Sequence, residues 1–363
     1  MSPKNKSIYL CMLDNVNLEE NVTLDEFEIR YLNSDELRKI LRFGENAALS
    51  AAENEQLVTY RKFAWASVEI EISQEDAKDT HRKALVSFNL RFAHAGIMNW
   101  WPFTELIRTL NLANPSFGPV ICRHFYHVPF ANLENSEDVE KVIYAEPTVN
   151  IFDDERGTVI QPMLFGYEIN RELTSDFLKL RMVLANCLSK DKAQGNSHIC
   201  TAVHHFENGD RNLVPCPLKG SFNAIDPLMS YEAALESMVV LEEEKGVEDK
   251  LALRIASLFP DKAKEVENFV RRVFWLRSKV AHGGRPIEEI EHLIVYKPDD
   301  EIRDKARNKH IPTGHYNNLL LDSCVFPGFL VNLREITRFV IRFFCDEFVQ
   351  GYSRAETIRK LGT

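Results

Sequence analysis

The spacing of apolar positions changes near residue 170. Before it, short runs alternate every second residue; beyond it, apolar side chains recur every three or four. Ser7–Leu13 and Leu24–Tyr31 read as strands, the second alternating through Phe27 and Ile29. Phe63–Ile72 is a half-buried strand, because Val68, Ile70 and Ile72 alternate with Glu69 and Glu71. Asn33-Ser34-Asp35-Glu36 has the form of a helix start with Glu36 at the capping-box position, opening a short helix to about Leu41. Gly44–Gln56 fits either a second short helix or a surface loop, and Lys83–Phe92 is strand-like but less regular. Trp100-Trp101-Pro102-Phe103 is an aromatic cluster ahead of a turn, expected to pack a core although flat rings can also stack bases. Pro119–Pro129, Lys141–Ile151 and Gly157–Ile169 supply further strand-like runs, separated by the acidic turns Glu134–Glu140 and Asp153-Asp154-Glu155.

Beyond the change of period, Leu173, Phe177, Leu180, Val183, Leu184 and Leu188 place a helix over Asn170–Ser189. Lys190–Asn196 reads as a loop, Ser197–Glu207 as a second helix, and Asn208–Phe222, with Pro215 and Pro217, as a connection. Asp226-Pro227 is an N-cap followed by proline, opening a helix that fades in Glu242–Gly246. Val247–Phe259 is the next helix, stopped by Pro260; Asp261 can cap the one after it, which Gly283-Gly284 terminates. An irregular charged stretch, Lys297–Asn318, precedes a long amphipathic helix at Phe329–Val349. These patterns predict an α+β chain: a strand-rich domain over 1–169, connecting helices over 170–221, and an all-α antiparallel bundle over 222–363.

One position breaks the pattern. On a helix wound from Val266, the side chains of Val266, Phe269, Val270, Val273 and Val280 form an apolar arc, and Arg277 falls inside it, about 20° from Val266. An arginine on a core-facing stripe must be paired or must act. His282 follows five residues later, ahead of two glycines. Arg277 can pair with Glu236, leaving His282 as a C-terminal cap, or the two can form a site. About 140° separates them on a regular helix, so to meet they need a loosened helix end at His282 or two subunits contributing one motif each.

Composition narrows the field. A chain of 363 residues with 45% hydrophobic and 27% charged residues has the makeup of a globular protein, long enough for two domains. The net charge of −10 argues against indiscriminate binding to nucleic acid or anionic membrane. It is uneven: residues 221–363 are nearly neutral, and most of the excess acid lies before them. Seven scattered cysteines without a C-x-x-C pair suit reduced thiols in the cytoplasm. No signal peptide or span of membrane-crossing length is evident. Cys122, His124 and His127, or His198, Cys200, His204, His205 and Cys216, contain zinc-compatible residue types, with packed side chains the default expectation. Arg334, Arg338 and Arg342 recur every four residues and can form a ridge along an RNA backbone or a solvated edge. Phosphate-binding glycine loops, G-x-S-x-G and H-E-x-x-H are absent.

Three stretches then act together: Tyr231-Glu232-Ala233-Ala234-Leu235-Glu236, Lys250-Leu251-Ala252-Leu253-Arg254-Ile255-Ala256, and Leu276-Arg277-Ser278-Lys279-Val280-Ala281-His282-Gly283-Gly284. In their order on successive helices, over roughly Phe222–Val349, they resemble the HEPN superfamily and most closely its Apea-like branch. The resemblance implies an HEPN-like helical bundle and a metal-independent endoribonuclease, with RNA as substrate and a homodimer as the working form. Neither cofactor nor metal is expected. It further implies a phage-defence or toxin role, with a regulatory partner or trigger acting at the N-terminal domain. Arg277 would grip phosphate through its planar fork and His282 would transfer a proton near neutral pH. Ser278 would share a helix face with His282 and orient its ring, and Glu236 would support Arg277. Many family members carry Asn, Asp or His after the arginine, where this chain has Ser278. The superfamily also contains non-catalytic modules that bind RNA, a nucleotide or a protein.

Overall fold

In a computed structural model, the described residues are 5–14, 16–33, 35–36, 63–72, 103–113, 119–128, 167–169, 171–188, 193–213, 224–283 and 328–362. The expected elements at Gly44–Gln56, Lys83–Phe92 and Lys141–Ile151, and the irregular stretch Lys297–Asn318, lie outside them. The chain is α+β and divides into two units, one of residues 1–110 and 120–178, the other of 111–119 and 179–363.

The first unit is built on a five-stranded antiparallel sheet in the order β3-β4-β5-β1-β6. Its strands are β1 (Asn5–Asp14), β3 (Val22–Leu24), β4 (Phe27–Tyr31), β5 (Ala64–Ile72) and β6 (Ile121–Val128). A parallel pair joins β2 (Val16–Leu18) to β7 (Tyr167–Ile169). Leu10, Cys11, Met12 and Leu13 of β1 are all buried, so this part of the strand is covered on both faces. The run Leu24–Tyr31, expected as one strand, folds instead as a hairpin. Leu24 pairs with Phe27 across a two-residue turn, and Asp25 adopts φ 57 there, a conformation that a short polar side chain tolerates. The capping box at Asn33 forms as expected: Glu36 N–H donates to Asn33 Oδ1, and Asn33 N–H to a Glu36 carboxylate oxygen, each at 2.9 Å. After the aromatic cluster the chain enters a helix rather than a turn, α1 (Phe103–Ala113), with Phe103 fully buried 5.7 Å from the Phe27 ring.

The second unit is helical. Its elements are α2 (Arg171–Cys187, whose first turns belong to the sheet unit), α3 (Ala193–Leu213), α4 (Ile225–Val239), α5 (Val247–Ser257), α6 (Ala263–Ala281), α7 (Gly328–Val349) and α8 (Arg354–Lys360). Helix α4 is the hub, packing on α3, α5, α6 and α7. The expected connector at Asn208–Phe222 is in part helix, because α3 runs on to Leu213. Gly209 makes this possible: a Cβ there would lie 2.5 Å from the Tyr231 ring, so the glycine lets α3 and α4 approach. Beside it, the buried Tyr231 hydroxyl donates to Asp210 at 2.6 Å. The described residues 179–188 and 193–213 therefore belong to the helical unit and do not merely lead into it.

The helix ends differ from the sequence expectation. Asp226 lies inside the first turn of α4, with Ala224 at the cap position and no capping side chain. Asp261 sits in a 3-10 turn, Pro260–Lys262, and Lys262 precedes α6. Helix α4 stops at Val239, and arginines satisfy its last carbonyls. Arg254 donates to Val239 O at 2.7 Å, and Arg354 to Met238 O and Val240 O. Arg254 also grips Glu244 through two nitrogens at 2.6 and 2.7 Å, which holds the Glu244 carboxyl well below the usual range. Among the described residues, no helix is long and apolar enough to cross a membrane.

Candidate functional site

Helix α6 buries Val266, Val270, Val273 and Leu276, and half-buries Phe269 and Val280. Arg277 lies on this packing face, as its spacing predicts, with its side chain 31% exposed. It turns toward α4. Its Nε is 3.4 Å from Glu232 Oε2, and its Nη2 is 3.7 Å from Glu236 Oε2. The expected partner Glu236 is therefore the outer of two carboxylates. Glu232 is the inner one, with its side chain 1% exposed. In the sequence Glu232 is marked only by its position on the apolar side of α4, between Tyr231 and Leu235.

The Arg277–Glu232 contact is close in distance but poorly aligned. Neither Arg277 Nε nor Glu232 Oε1 has a hydrogen-bond partner, although both atoms are buried. Burial pushes the Glu232 carboxyl up to about 7, with the charge of Glu236 in the same direction and that of Arg277 opposing. Near neutral pH, Glu232 thus switches between a neutral acid and an anion beside the Arg277 guanidinium.

His282 is exposed at the end of α6. His282 N–H still donates to Ser278 O at 3.1 Å, and Gly283, at φ 61, then turns the chain away. Ser278 thus meets His282 through its main-chain carbonyl. Arg277 faces α4 and His282 faces outward, so the helix itself does not bring the pair together. His282 itself is the C-cap residue, at φ −101 and ψ 7, so the regular helix ends at Ala281.

The arginine ridge on α7 is corrected by burial. Arg334 is 0% and Arg338 6% exposed, and Arg342 is half-buried. Arg334 donates to Asp210 at 2.8 and 3.2 Å, to Glu335 at 2.8 Å, and to Asn111. Arg338 donates to Glu335 at 2.8 Å and to Leu112 O and Ala113 O, and Arg342 donates to Ala113 O. The ridge caps the last turn of α1, where three carbonyls lack intrahelical partners. It is not an RNA-facing edge.

Where described, the zinc-compatible side chains have other contacts. His198 is buried against the edge of Phe344, Cys200 Sγ points to Cys187 O at 3.9 Å, and His204 bonds to Asn208 at 3.1 Å. Cys216 lies outside the described residues. Cys122, His124 and His127 fall on β6, opposite Leu13, Met12 and Tyr9 of β1. Among the described residues, no three His, Cys, Asp or Glu side chains are grouped to hold a metal ion.

Compared with family models, curated proteins and solved structures, the chain matches none. The site therefore rests on its own residues. It offers a part-exposed guanidinium 3.4 and 3.7 Å from two carboxylates of α4, and an exposed imidazole at the end of α6.

Proposed function

We propose that the chain is a metal-independent endoribonuclease of the HEPN type, with an HEPN-like bundle formed by α4–α7, acting as a homodimer. The observation that carries this reading is Arg277: a guanidinium on the packing face of α6, still 31% exposed, five residues before an exposed histidine at the helix end. Attack of a ribose 2′-hydroxyl on the adjacent phosphate needs one proton removed, one supplied to the leaving oxygen, and the phosphorane charge stabilised. His282 performs a proton transfer and Arg277 stabilises the charge. Because Arg277 and His282 diverge on one helix, each site takes its arginine from one subunit and its histidine from the other. A phage-defence or toxin role, with a trigger acting on the sheet unit, and a cytoplasmic location accompany this reading.

His282→Ala is expected to lower RNA cleavage by about 100- to 10,000-fold, the usual contribution of a general acid or base. Cleavage by the unaltered chain is expected to persist in chelator. RNA left intact by wild type in cells, even under phage challenge, counts against the nuclease. Mixing Arg277→Ala with His282→Ala subunits is expected to restore part of the activity; no restoration counts against the shared site.

The pairing of Arg277 with buried Glu232 favours a second reading, a non-catalytic HEPN module binding RNA, a nucleotide or a protein, in which Arg277 only ties α6 to α4. Under it, Arg277→Ala destabilises the fold while His282→Ala changes nothing measurable.

A further inference from the structure

Arg277 and Glu232 form an incomplete pair. A guanidinium beside a carboxylate ordinarily closes a two-pronged hydrogen bond at about 2.8 Å. Here Nε and Oε2 stand 3.4 Å apart without a hydrogen bond, and Nη2 lies 3.7 Å from Glu236 Oε2. Arg277 Nε and Glu232 Oε1 are both buried without a hydrogen-bond partner among the described residues. The Phe274 ring centroid, on the same helix, is 5.9 Å from the guanidinium carbon. Access to the two side chains differs. Arg277 is 31% exposed and Glu232 1%, so an anion arriving from solvent meets the arginine and not the carboxyl.

The charges that move the Glu232 carboxyl are, among the described residues, Arg277 from α6 and Glu236 one turn along α4. On the other helices packed against α4, Asp210 of α3 bonds to Arg334 of α7, Glu335 of α7 accepts from Arg334 and Arg338, and Arg254 of α5 grips Glu244. Burial holds the Glu232 proton to about pH 7, and Arg277 is the charge that opposes it. A phosphate on Arg277 cancels that opposing charge and sets a second anion near the carboxyl. Both effects favour the neutral acid. By reciprocity, the neutral acid favours the phosphate.

We propose that Glu232 is the positioning residue for Arg277 in RNA binding: its neutral form yields the guanidinium to an RNA phosphate, and its anion draws the guanidinium back onto α4. The proposal rests on the ribonuclease reading for the role of Arg277. Glu232 itself touches no substrate and acts through the arginine.

The test uses the full chain carrying His282→Ala, which removes the titration of that ring. A fluorescent single-stranded RNA of mixed sequence is the probe, with anisotropy read at pH 6 and pH 8 at fixed salt. This parent is expected to bind about fivefold more tightly at pH 6, the linkage that follows when a bound phosphate raises the proton affinity of Glu232 about tenfold. Adding Glu232→Gln, neutral and of the same shape, is expected to keep the tight binding at pH 6 and remove most of the loss at pH 8. A merely structural Glu232 would alter binding equally at both. Adding Arg277→Ala is expected to weaken binding at pH 6 and erase the effect of Glu232→Gln. Calorimetry of the parent at pH 7, in buffers of different ionisation heat, reads the same coupling without that variant, as uptake of about 0.4 proton per RNA bound. Equal affinity of the parent at the two pH values, a pH dependence unchanged by Glu232→Gln, or no binding at either pH overturns the proposal. If wild type nevertheless cleaves RNA and His282→Ala does not, the nuclease stands without it. If Glu232-dependent binding is found with no cleavage by any form, the coupling stands and the nuclease falls.

Discussion

Arg334→Met is expected to cost the helical unit about 3–5 kcal/mol, the usual penalty for removing one partner of a buried ion pair. Arg334 is fully buried, and its guanidinium is the main counter-charge for Asp210, itself 5% exposed. Methionine fills much of the volume but leaves the Asp210 carboxylate with only the Tyr231 hydroxyl among the bonds described above. The Arg334 side chain also stacks 5.3 Å from the Phe206 ring and bonds to Asn111 in the last turn of α1, so those contacts go with it. The loss comes from stranding a charge more than from the worth of the pair. Adding Asp210→Leu to Arg334→Met should therefore recover a large part of it. Urea unfolding followed by helical circular dichroism reads both effects. A single variant within about 1 kcal/mol of wild type, or a double variant no better than the single, refutes the account.

His198→Leu is expected to relieve an acid sensitivity of about 2 kcal/mol. His198 is 8% exposed, and burial pushes its imidazole down to about 4, with the charge of Arg354 adding to the effect. Above about pH 6.5 the ring is neutral in both folded and unfolded chains, and its titration costs nothing. As pH falls from there toward about 4, the unfolded chain takes up a proton that the folded one refuses, so stability is lost across that window and levels off below it. The full difference in proton affinity would be worth about 3 kcal/mol, which partial access of water reduces to about 2. Glu232 slopes the other way: its carboxyl is raised to about 7, so its contribution is complete below about pH 4.5 and is lost as pH rises through about 7. The two offset each other in the wild-type curve. The informative quantity is the wild type minus His198→Leu difference, which should shift by about 2 kcal/mol between pH 7 and pH 4.5. Parallel curves would falsify the assignment.

Periodicity made the helices of the C-terminal unit legible, because each buries one stripe and exposes the other. Arg277 stood out for the same reason, as the one charged residue among Val266, Val270 and Val273. What stayed hidden depended on close approach between segments distant in sequence. Gly209 looks like a breaker inside Asn208–Phe222, yet it sits within α3 because the Tyr231 ring needs its missing Cβ. Arg334, Arg338 and Arg342 look like a surface ridge by spacing alone, since nothing local reveals that the end of α1 meets them. Glu232 was masked by its neighbours: a carboxylate amid Tyr231, Ala234 and Leu235 reads as ordinary helix until Arg277 arrives from α6. In the sheet unit, the two-residue turn at Asp25 broke a run whose alternation through Phe27 and Ile29 continues almost unchanged across it.

The arginines that close the ends of α1 and α4 bear on how this chain tolerates change. Arg254, Arg334 and Arg338 use several nitrogens at once, reaching a carboxylate and one or more carbonyl oxygens from a single planar group. A lysine carries the same charge but only one nitrogen on a flexible stem, and cannot span such sets. Substitution scores that treat the two residues as equivalent will misjudge these positions in any variant of this chain. Inside its helical unit, the shape of the guanidinium matters more than its sign.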